Sequence, residues 1–195
     1  GVLAGLGLSY GGATTEEDVV GLIFADQGID LSKISGDIKI VSYLQGYGDT
    51  TTDEINAAIQ AAPEAFISVG MATTFFTQQL NAAGIEFSDI DSFTKSNGEA
   101  ITNGKLVYLA GKYSSSVGPA FALVMNAING NVIRDAQGNA VSLSQNYQVA
   151  TDSETFDKFY KNDNGDNPIY SRDTLDQIIG DTVTFDTINE VVASN

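Results

Sequence analysis

Short apolar segments alternate with amphipathic helical patterns along the first 110 residues of the chain. Such short apolar runs are typical of strands that are buried on both faces of a parallel sheet. Between them, apolar residues recur three and four positions apart, as a helix with one buried face requires. The predicted strands are residues 1–8, 38–44, 65–69, 90–93 and 105–110. This alternation predicts an α/β fold: a doubly wound, Rossmann-like parallel sheet with helices on both faces.

Helix starts and ends support this order of elements. Thr14 with Glu17, and Thr51 with Glu54, have the spacing of a capping box, in which a hydroxyl and a carboxylate satisfy the first free backbone N–H groups. A third helical pattern begins near residue 72 and ends at Gly84, where a glycine suits the left-handed conformation of a helix terminus.

The carboxyl ends of the predicted strands locate the candidate site. In open α/β sheets, ligands bind outside these ends, so the loops that follow the strands supply the contacts. Tyrosines in these loops suit a flat ligand or a sugar ring, because they offer both a ring face and a hydroxyl. The ligand-binding candidates in or next to these loops are Tyr10, Tyr47, Met71, Asp91 and Lys112.

The pattern changes after residue 113. Gly118-Pro119 suits the first turn of a helix, and an apolar stripe follows it. Residues 135–139 predict a hairpin turn between 132–133 and 141–143. The stripe consists of Phe121, Val124, Met125 and Ile128, and short helical patterns follow around 156–159, 175–178 and 188–191.

The composition argues against several classes of partner and of enzyme. The net charge is −16 with only 9 basic residues, which argues against nucleic acid as a partner and against binding to an anionic membrane surface. The sequence has no His and no Cys, which excludes a Ser-His-Asp triad, a thiolate nucleophile and His- or Cys-ligated zinc. We therefore expect no enzyme activity. An α/β enzyme with a carboxylate base is the less favoured alternative.

Two motifs fall short of cofactor or metal sites. Gly5 and Gly7 follow the pattern of a dinucleotide-binding turn, but Tyr10 stands where its third glycine belongs, so no cofactor is expected. Residues 162–167 gather Asn and Asp around a glycine, as calcium loops do. They depart from the EF-hand pattern at its first and twelfth positions, which favours a solvated turn.

Four short pieces carry a family resemblance. Residues 81–85 read Asn-Ala-Ala-Gly-Ile, 90–94 read Ile-Asp-Ser-Phe-Thr, 100–106 read Ala-Ile-Thr-Asn-Gly-Lys-Leu, and 127–130 read Ala-Ile-Asn-Gly. In order and spacing they resemble the second lobe and the hinge segment of sugar-type periplasmic binding proteins, the ribose-receptor-like solute receptors of ABC transporters. The resemblance covers most of residues 1–130. The family's Asn-Asp after the third strand is here Val69-Gly70, and its stacking tryptophans are absent.

The resemblance implies a function without catalysis. Residues 1–113 would form the ligand-binding lobe, 114–146 the crossing helix and hairpin of the hinge, and 147–195 a helical tail. Lys112 matches the family's polar hinge residue, and Asp91 (or Ser92) its ligand-binding aspartate. The implied partners are a small polar solute, sugar-like or nucleoside-like, and a membrane permease. The implied location is extracytoplasmic, in the periplasm or as a cell-surface lipoprotein, with the first lobe and the export signal upstream.

One alternative keeps the fold but not the ligand: a stand-alone surface interaction domain. Without a partner lobe, the stripe at Phe121 and Val124 would be left exposed, and large exposed apolar patches rarely stay bare. We therefore expect either a homodimer or a rearranged docking of that helix.

Overall fold

A computed structural model describes residues 41, 42, 44, 51–111, 114–164 and 168–194. The strands are β1 (Phe66–Ser68), β2 (Phe87–Ile90), β3 (Leu106–Gly111) and β4 (Gln148–Ala150). The helices are α1 (Thr52–Gln60), α2 (Ala72–Phe75), α3 (Thr77–Ala83), α4 (Lys95–Thr102), α5 (Gly118–Ile128), α6 (Ser153–Asn164), α7 (Arg172–Gln177) and α8 (Phe185–Ala193), and a 3₁₀ turn, Ser114–Val117, precedes α5.

The described strands form one open, mostly parallel sheet in the order β1-β2-β3-β4. β2 and β3 are parallel, with Asp89 opposite Leu109 and Ile90 opposite Ala110. β4 runs antiparallel to β3, with Gln148 opposite Gly111. The carboxyl end of β3 and the amino end of β4 therefore meet at the same edge of the sheet. The α/β class predicted from the alternation is confirmed.

Several predicted elements are confirmed and one strand is displaced. The strands predicted at 65–69 and 105–110 are present as β1 and β3. The strand predicted at 90–93 instead spans Phe87–Ile90, because the buried side chains alternate there: Phe87 and Asp89 are almost fully buried. The strand predicted at 1–8 and the helix predicted from Thr14 lie outside the described residues, as do Tyr10, Tyr47 and Lys112. Of the strand predicted at 38–44, only residues 41, 42 and 44 are described, and they are not part of a strand.

The second half contains one strand that the sequence pattern missed. β4 has only three residues, too few to show an alternation, and only its pairing with β3 defines it. The predicted hairpin is reduced to its turn: Asp135 N–H donates to the Asn139 carbonyl oxygen at 3.1 Å, and a single bridge joins Arg134 to Ala140. The three predicted short helices are confirmed as α6, α7 and α8.

The chain divides into two compact units. The first comprises residues 1–66 and 72–86, and the second comprises 67–71 and 87–195. In the first, the rings of Phe66 and Phe76 pack with centroids 5.3 Å apart, and Leu80 is buried. The boundaries predicted at residues 113 and 146 stay a prediction.

In the second unit, α5 packs against α8 and against the chain at the end of α7. A buried cluster joins Ala122 of α5 to Ile178, Ile188 and Val192. Asn126, completely buried, ties α5 to the chain after α7: its Nδ2 donates to the Ile178 carbonyl oxygen at 2.8 Å, and its Oδ1 accepts from Gly180 N–H at 2.8 Å. One face of α5 is therefore fixed in the core.

Candidate functional site

Two carboxylates of β2 and its loop hold the loop that follows β1. Asp89 Oδ1 accepts a hydrogen bond from Gly70 N–H at 3.0 Å, and Asp91 Oδ2 accepts one from Met71 N–H at 3.2 Å. Residues 89 and 91 are two apart, so an extended backbone turns both side chains to the same face. Two successive backbone N–H groups of the loop after β1 therefore donate to two carboxylates at the end of β2.

The loop after β1 has an uncommon backbone. Gly70 has φ +91° and Met71 has φ +64°. A glycine adopts this region readily, whereas a methionine is rarely found there, and the cost of such a conformation is of order 1–2 kcal/mol. The bonds to Asp89 and Asp91 offset that cost. Met71 is half-buried and sits next to Asp91, so the structure brings together these two sequence-predicted site residues.

Asp91 is already surrounded by donors. Besides Met71 N–H, its carboxylate accepts from Ser92 N–H at 2.7 Å, from the Ser92 hydroxyl at 3.3 Å and from Asn97 Nδ2 at 3.3 Å. A carboxylate has about four lone-pair sites, and these four donors occupy them. In this state Asp91 fixes the two loops in place, and a solute reaching it would have to displace one donor.

Asn97, completely buried at the start of α4, completes this network. Its Nδ2 also donates to the Ser92 carbonyl oxygen at 2.8 Å, while its backbone N–H is capped by the Thr94 hydroxyl at 3.2 Å. Below the loop, the buried ring of Phe93 packs against Phe156, with ring centroids 5.6 Å apart. The loop after β2 is held from both its polar and its apolar side.

Gly111 permits the close approach of β3 to this loop. A Cβ atom at position 111 would lie 1.8 Å from the Asp91 carbonyl oxygen, a contact that no side chain can make. The Asp91 N–H also donates to the Ala110 carbonyl oxygen at 3.0 Å. The ends of β2 and β3 are therefore packed too tightly to tolerate any residue but glycine at 111.

A cavity of about 360 Å³ opens at this same edge of the sheet, within the second unit. It adjoins Gly111 on β3 and Gln148 on β4, which lie opposite each other in the sheet. One wall is ordered by a bond from Gln145 Nε2 to the Ser116 carbonyl oxygen at 2.9 Å. The lining residues are Gly111, Ser116, Gln145, Asn146, Tyr147, Gln148, Ile169, Tyr170, Val192, Ala193 and Ser194.

The cavity lining is polar but uncharged. Three side-chain amides, two serines and two tyrosines offer both donors and acceptors, and no lining side chain carries a formal charge. Burial raises the pKa of the Tyr170 phenol above its ordinary value of 10.0, so this hydroxyl remains protonated at neutral pH. Such a lining suits a neutral ligand rich in hydroxyl or amide groups, and the volume lies within the range of small-ligand sites.

Sequence reasoning missed most of this cavity. Its amides lie in the segment 145–148, which has no strand alternation, and Tyr170 lies far along the chain from β3. The sequence pattern marks Gly118 only as a helix start. In the structure its missing side chain makes room for Tyr170, because a Cβ atom at position 118 would lie 2.6 Å from the Tyr170 Cβ. Gly111, next to the candidate Lys112, was the nearest usable indication.

The described part of the chain shows neither a cluster of metal-binding side chains nor a helix that could span a membrane. There, no group of three or more acidic residues is placed to hold a metal ion. Residues 162–164, the start of the predicted calcium-like turn, instead end helix α6, and residues 165–167 are outside the described ranges. In the same part of the chain, no helix combines the length and apolarity needed to cross a membrane.

The comparisons with known proteins add no neighbour. No family model, no curated protein and no solved structure matches the chain. The resemblance to periplasmic binding proteins therefore remains an expectation from the short sequence pieces.

Proposed function

We propose that this chain is the solute-binding lobe of an extracytoplasmic receptor, and that it binds a small, neutral, polar molecule, sugar-like or nucleoside-like, without catalysis. The observation that carries the proposal is the uncharged, amide- and hydroxyl-lined cavity at the edge where β3 and β4 meet. It lies outside the carboxyl end of a parallel strand, where open α/β sheets bind their ligands.

The chemistry of the lining selects the ligand class. A sugar or nucleoside offers several hydroxyls that both donate and accept, and side-chain amides pair with both functions. An anionic solute would find no cation among the lining residues, and it would also be repelled by the net charge of −16. A neutral solute avoids both costs.

The proposal also covers the type of α/β fold and the position of the remaining candidate residues. We infer a doubly wound lobe of the periplasmic-binding-protein type, with Tyr10, Tyr47 and Lys112 at the same strand-end edge as Met71 and Asp91. In such a receptor the solute binds between two lobes, closure buries it, and the closed form engages a membrane permease of an ABC transporter. The short sequence pieces at 81–85, 90–94, 100–106 and 127–130 support this part of the proposal.

A thermal-shift and calorimetry panel tests the ligand class. Neutral monosaccharides and nucleosides would be compared with their phosphorylated counterparts. A true ligand at about 100 times its Kd stabilises the folded state by about 2.7 kcal/mol, a clear rise in Tm. We expect a hit among the neutral compounds alone, with the compound recovered unchanged by mass spectrometry. Binding of only the phosphorylated compounds, or conversion of the solute, would contradict the proposal.

Matched variants locate the binding site. Gln148→Leu removes an amide from the cavity wall at similar size, and we expect it to weaken binding at least tenfold, the equivalent of one hydrogen bond. Gln137→Leu makes the same change in the exposed turn and should leave affinity unchanged. Equal affinities for both variants would place the solute elsewhere.

Met71 allows a test of the loop. Because its φ of +64° suits glycine, Met71→Gly removes the side chain while the backbone keeps its conformation. We expect weaker solute binding without loss of stability if the Met71 side chain contacts the solute. Unchanged affinity would restrict the site to the cavity.

A stand-alone interaction domain is the second candidate, and the exposed apolar side of α5 favours it. Phe121, Val124 and Ile128 are exposed in this structure, as expected for the stripe, while Met125 is half-buried. No Tm shift with any compound of the panel would favour this second function.

A further inference from the structure

Tyr170 is a buried polar side chain whose hydroxyl has no hydrogen bond to the described part of the protein. The residue is only 6% exposed, and within that part of the chain no group bonds to its hydroxyl. A buried tyrosine hydroxyl usually has a partner, because burying it without one costs free energy. Tyr170 lines the cavity of about 360 Å³ at the edge of β3 and β4, so a molecule in that cavity is the partner available to it.

The start of α7 and the start of α5 fix the position of the Tyr170 ring. Tyr170 precedes Ser171, the N-cap of α7, whose hydroxyl accepts the Thr174 N–H at 3.2 Å. Tyr170 and Leu175 therefore occupy the two positions of a hydrophobic staple. Gly118 adjoins both: a Cβ atom there would lie 2.6 Å from the Tyr170 Cβ and 3.2 Å from the Leu175 Cδ2. The near end of the ring is packed, and the hydroxyl lies at the far end.

The chemistry of a neutral phenol defines which group can pair with it. Burial raises the pKa of Tyr170 above its ordinary 10.0, so the hydroxyl keeps the proton that it can donate. The natural acceptor is an oxygen atom of a solute. A solute without an oxygen at this place would cover the hydroxyl and leave it unpaired, which a binding site penalises strongly.

We propose that Tyr170 determines the specificity of the cavity, by donating a hydrogen bond from its hydroxyl to a hydroxyl or carbonyl oxygen of the solute. The inference rests on the proposed function and narrows its ligand class to solutes that present such an oxygen beside the start of α7. Because packing already holds the ring, forming this bond requires little further ordering of the side chain.

Isothermal titration calorimetry on Tyr170→Phe tests the contact, since the variant keeps the ring and loses only the hydroxyl. The probes are ribose, glucose, adenosine and uridine, each with its phosphorylated counterpart. A compound that binds the wild type should bind Tyr170→Phe at least tenfold more weakly, the equivalent of one hydrogen bond. Tyr108→Phe makes the same change at an exposed tyrosine of β3 outside the cavity lining, and it should bind as tightly as the wild type.

Deoxy analogues of the bound compound identify the oxygen that pairs with Tyr170. One analogue should lose at least tenfold in affinity for the wild type and little or nothing for Tyr170→Phe, because the bond is already absent there. Analogues that lose the same factor against both proteins would contradict a direct bond to any of the oxygens removed.

Thermal unfolding without solute gives a readout that is independent of the ligand. Tyr170→Phe should unfold at or above the wild-type Tm, because no bond within the protein is lost. A clearly lower Tm would show that the hydroxyl already has a partner in the folded chain and would overturn the proposal.

The binding outcomes separate this inference from the proposed function. Equal affinity of a compound for the wild type and Tyr170→Phe would overturn the role of Tyr170 and leave the solute receptor standing. Binding confined to phosphorylated compounds, and weakened in Tyr170→Phe, would support the contact and refute the neutral ligand class. No binding of any compound to the wild type would overturn both.

Discussion

Single buried polar residues hold the strand ends and the helices together. Asn97 and Asn126 are both completely buried. Asn97 bonds the loop directly before its own helix, at Asp91 and Ser92, whereas Asn126 bonds backbone groups at Ile178 and Gly180, far along the chain. Burying an amide is favourable only when its donors and acceptors are satisfied, so such residues fix one geometry rather than many. In the sequence, both look like ordinary polar residues between helical positions.

Asn126→Ala should lower the free energy of unfolding by about 2–4 kcal/mol, since it leaves the Ile178 carbonyl and the Gly180 N–H without their side-chain partner. Urea denaturation measures the change. Asn129→Ala, at the exposed end of the same helix, should change stability by less than about 0.5 kcal/mol. If the two variants proved equally stable, the Asn126 bonds would not be contributing.

Asp91→Asn should lower stability by about 1–3 kcal/mol, because one of its two oxygens becomes an NH₂ group that faces backbone N–H or side-chain donors. Ser92→Ala removes only the 3.3 Å hydroxyl bond and should have little effect. Equal losses from both changes would mean that the carboxylate does not organise the loops.

At the scale of the elements, short helices are defined by their first turns. Thr51, Thr94, Ser171 and Thr184 each accept a backbone N–H from the residue three positions on. The sequence pattern identified the Thr51–Glu54 capping box correctly. It did not mark Thr184, because residue 187 is Thr, so the reciprocal carboxylate is missing.

Thr184→Ala should destabilise the protein by about 1 kcal/mol, the usual cost of losing an N-cap, because α8 contributes Ile188 and Val192 to the core. Thr184→Ser should retain most of the stability. Thr182→Ala, an exposed position just before the cap, serves as the control in the same denaturation series. A loss at 182 as large as that at 184 would exclude a capping effect.

For the whole molecule, acidity has two opposing effects. Self-repulsion from the net charge of −16 weakens as the pH falls towards the isoelectric point near 4.1. Against this, hydrogen bonds to ionised carboxylates are lost in acid. Thr51 holds the pKa of Glu54 below its ordinary 4.5, and bonds chiefly from Asn139 and Thr155 hold the pKa values of Asp135 and Asp152 below 3.8.

These three lowered pKa values contribute to the acid side of the stability profile. A carboxyl whose pKa is lower in the folded state contributes stability above its unfolded pKa and loses it as the pH falls through the folded value. We expect the free energy of unfolding to fall as the pH drops below about 4.5, and the triple variant E54Q/D135N/D152N to show a shallower fall. Denaturant titrations at a series of pH values measure the slope. Parallel slopes for the two proteins would contradict the assignment.

The sequence by itself determined the elements whose physics is local. Apolar periodicity and helix-capping residues predict helices such as α1 and α5, and apolar runs predict buried strands such as β1 and β3. The α/β class could therefore be predicted from the sequence alone. The strand-end rule also placed Met71 and Asp91 correctly at one edge of the sheet, because it depends only on strand direction.

Only the tertiary structure decided what depends on pairing between distant segments. β4 is a strand because it pairs with β3. The cavity forms where residues near 111, 147, 170 and 193 come together. Asp89 holds the loop after β1 because its carboxylate accepts a hydrogen bond from the Gly70 N–H, nineteen residues away. The stripe on α5 was visible in the sequence, but which of its sides faces the core was fixed by Ala122 and Asn126 packing against α7 and α8. Local patterns encode an element, whereas its neighbours determine which groups it buries and which it presents.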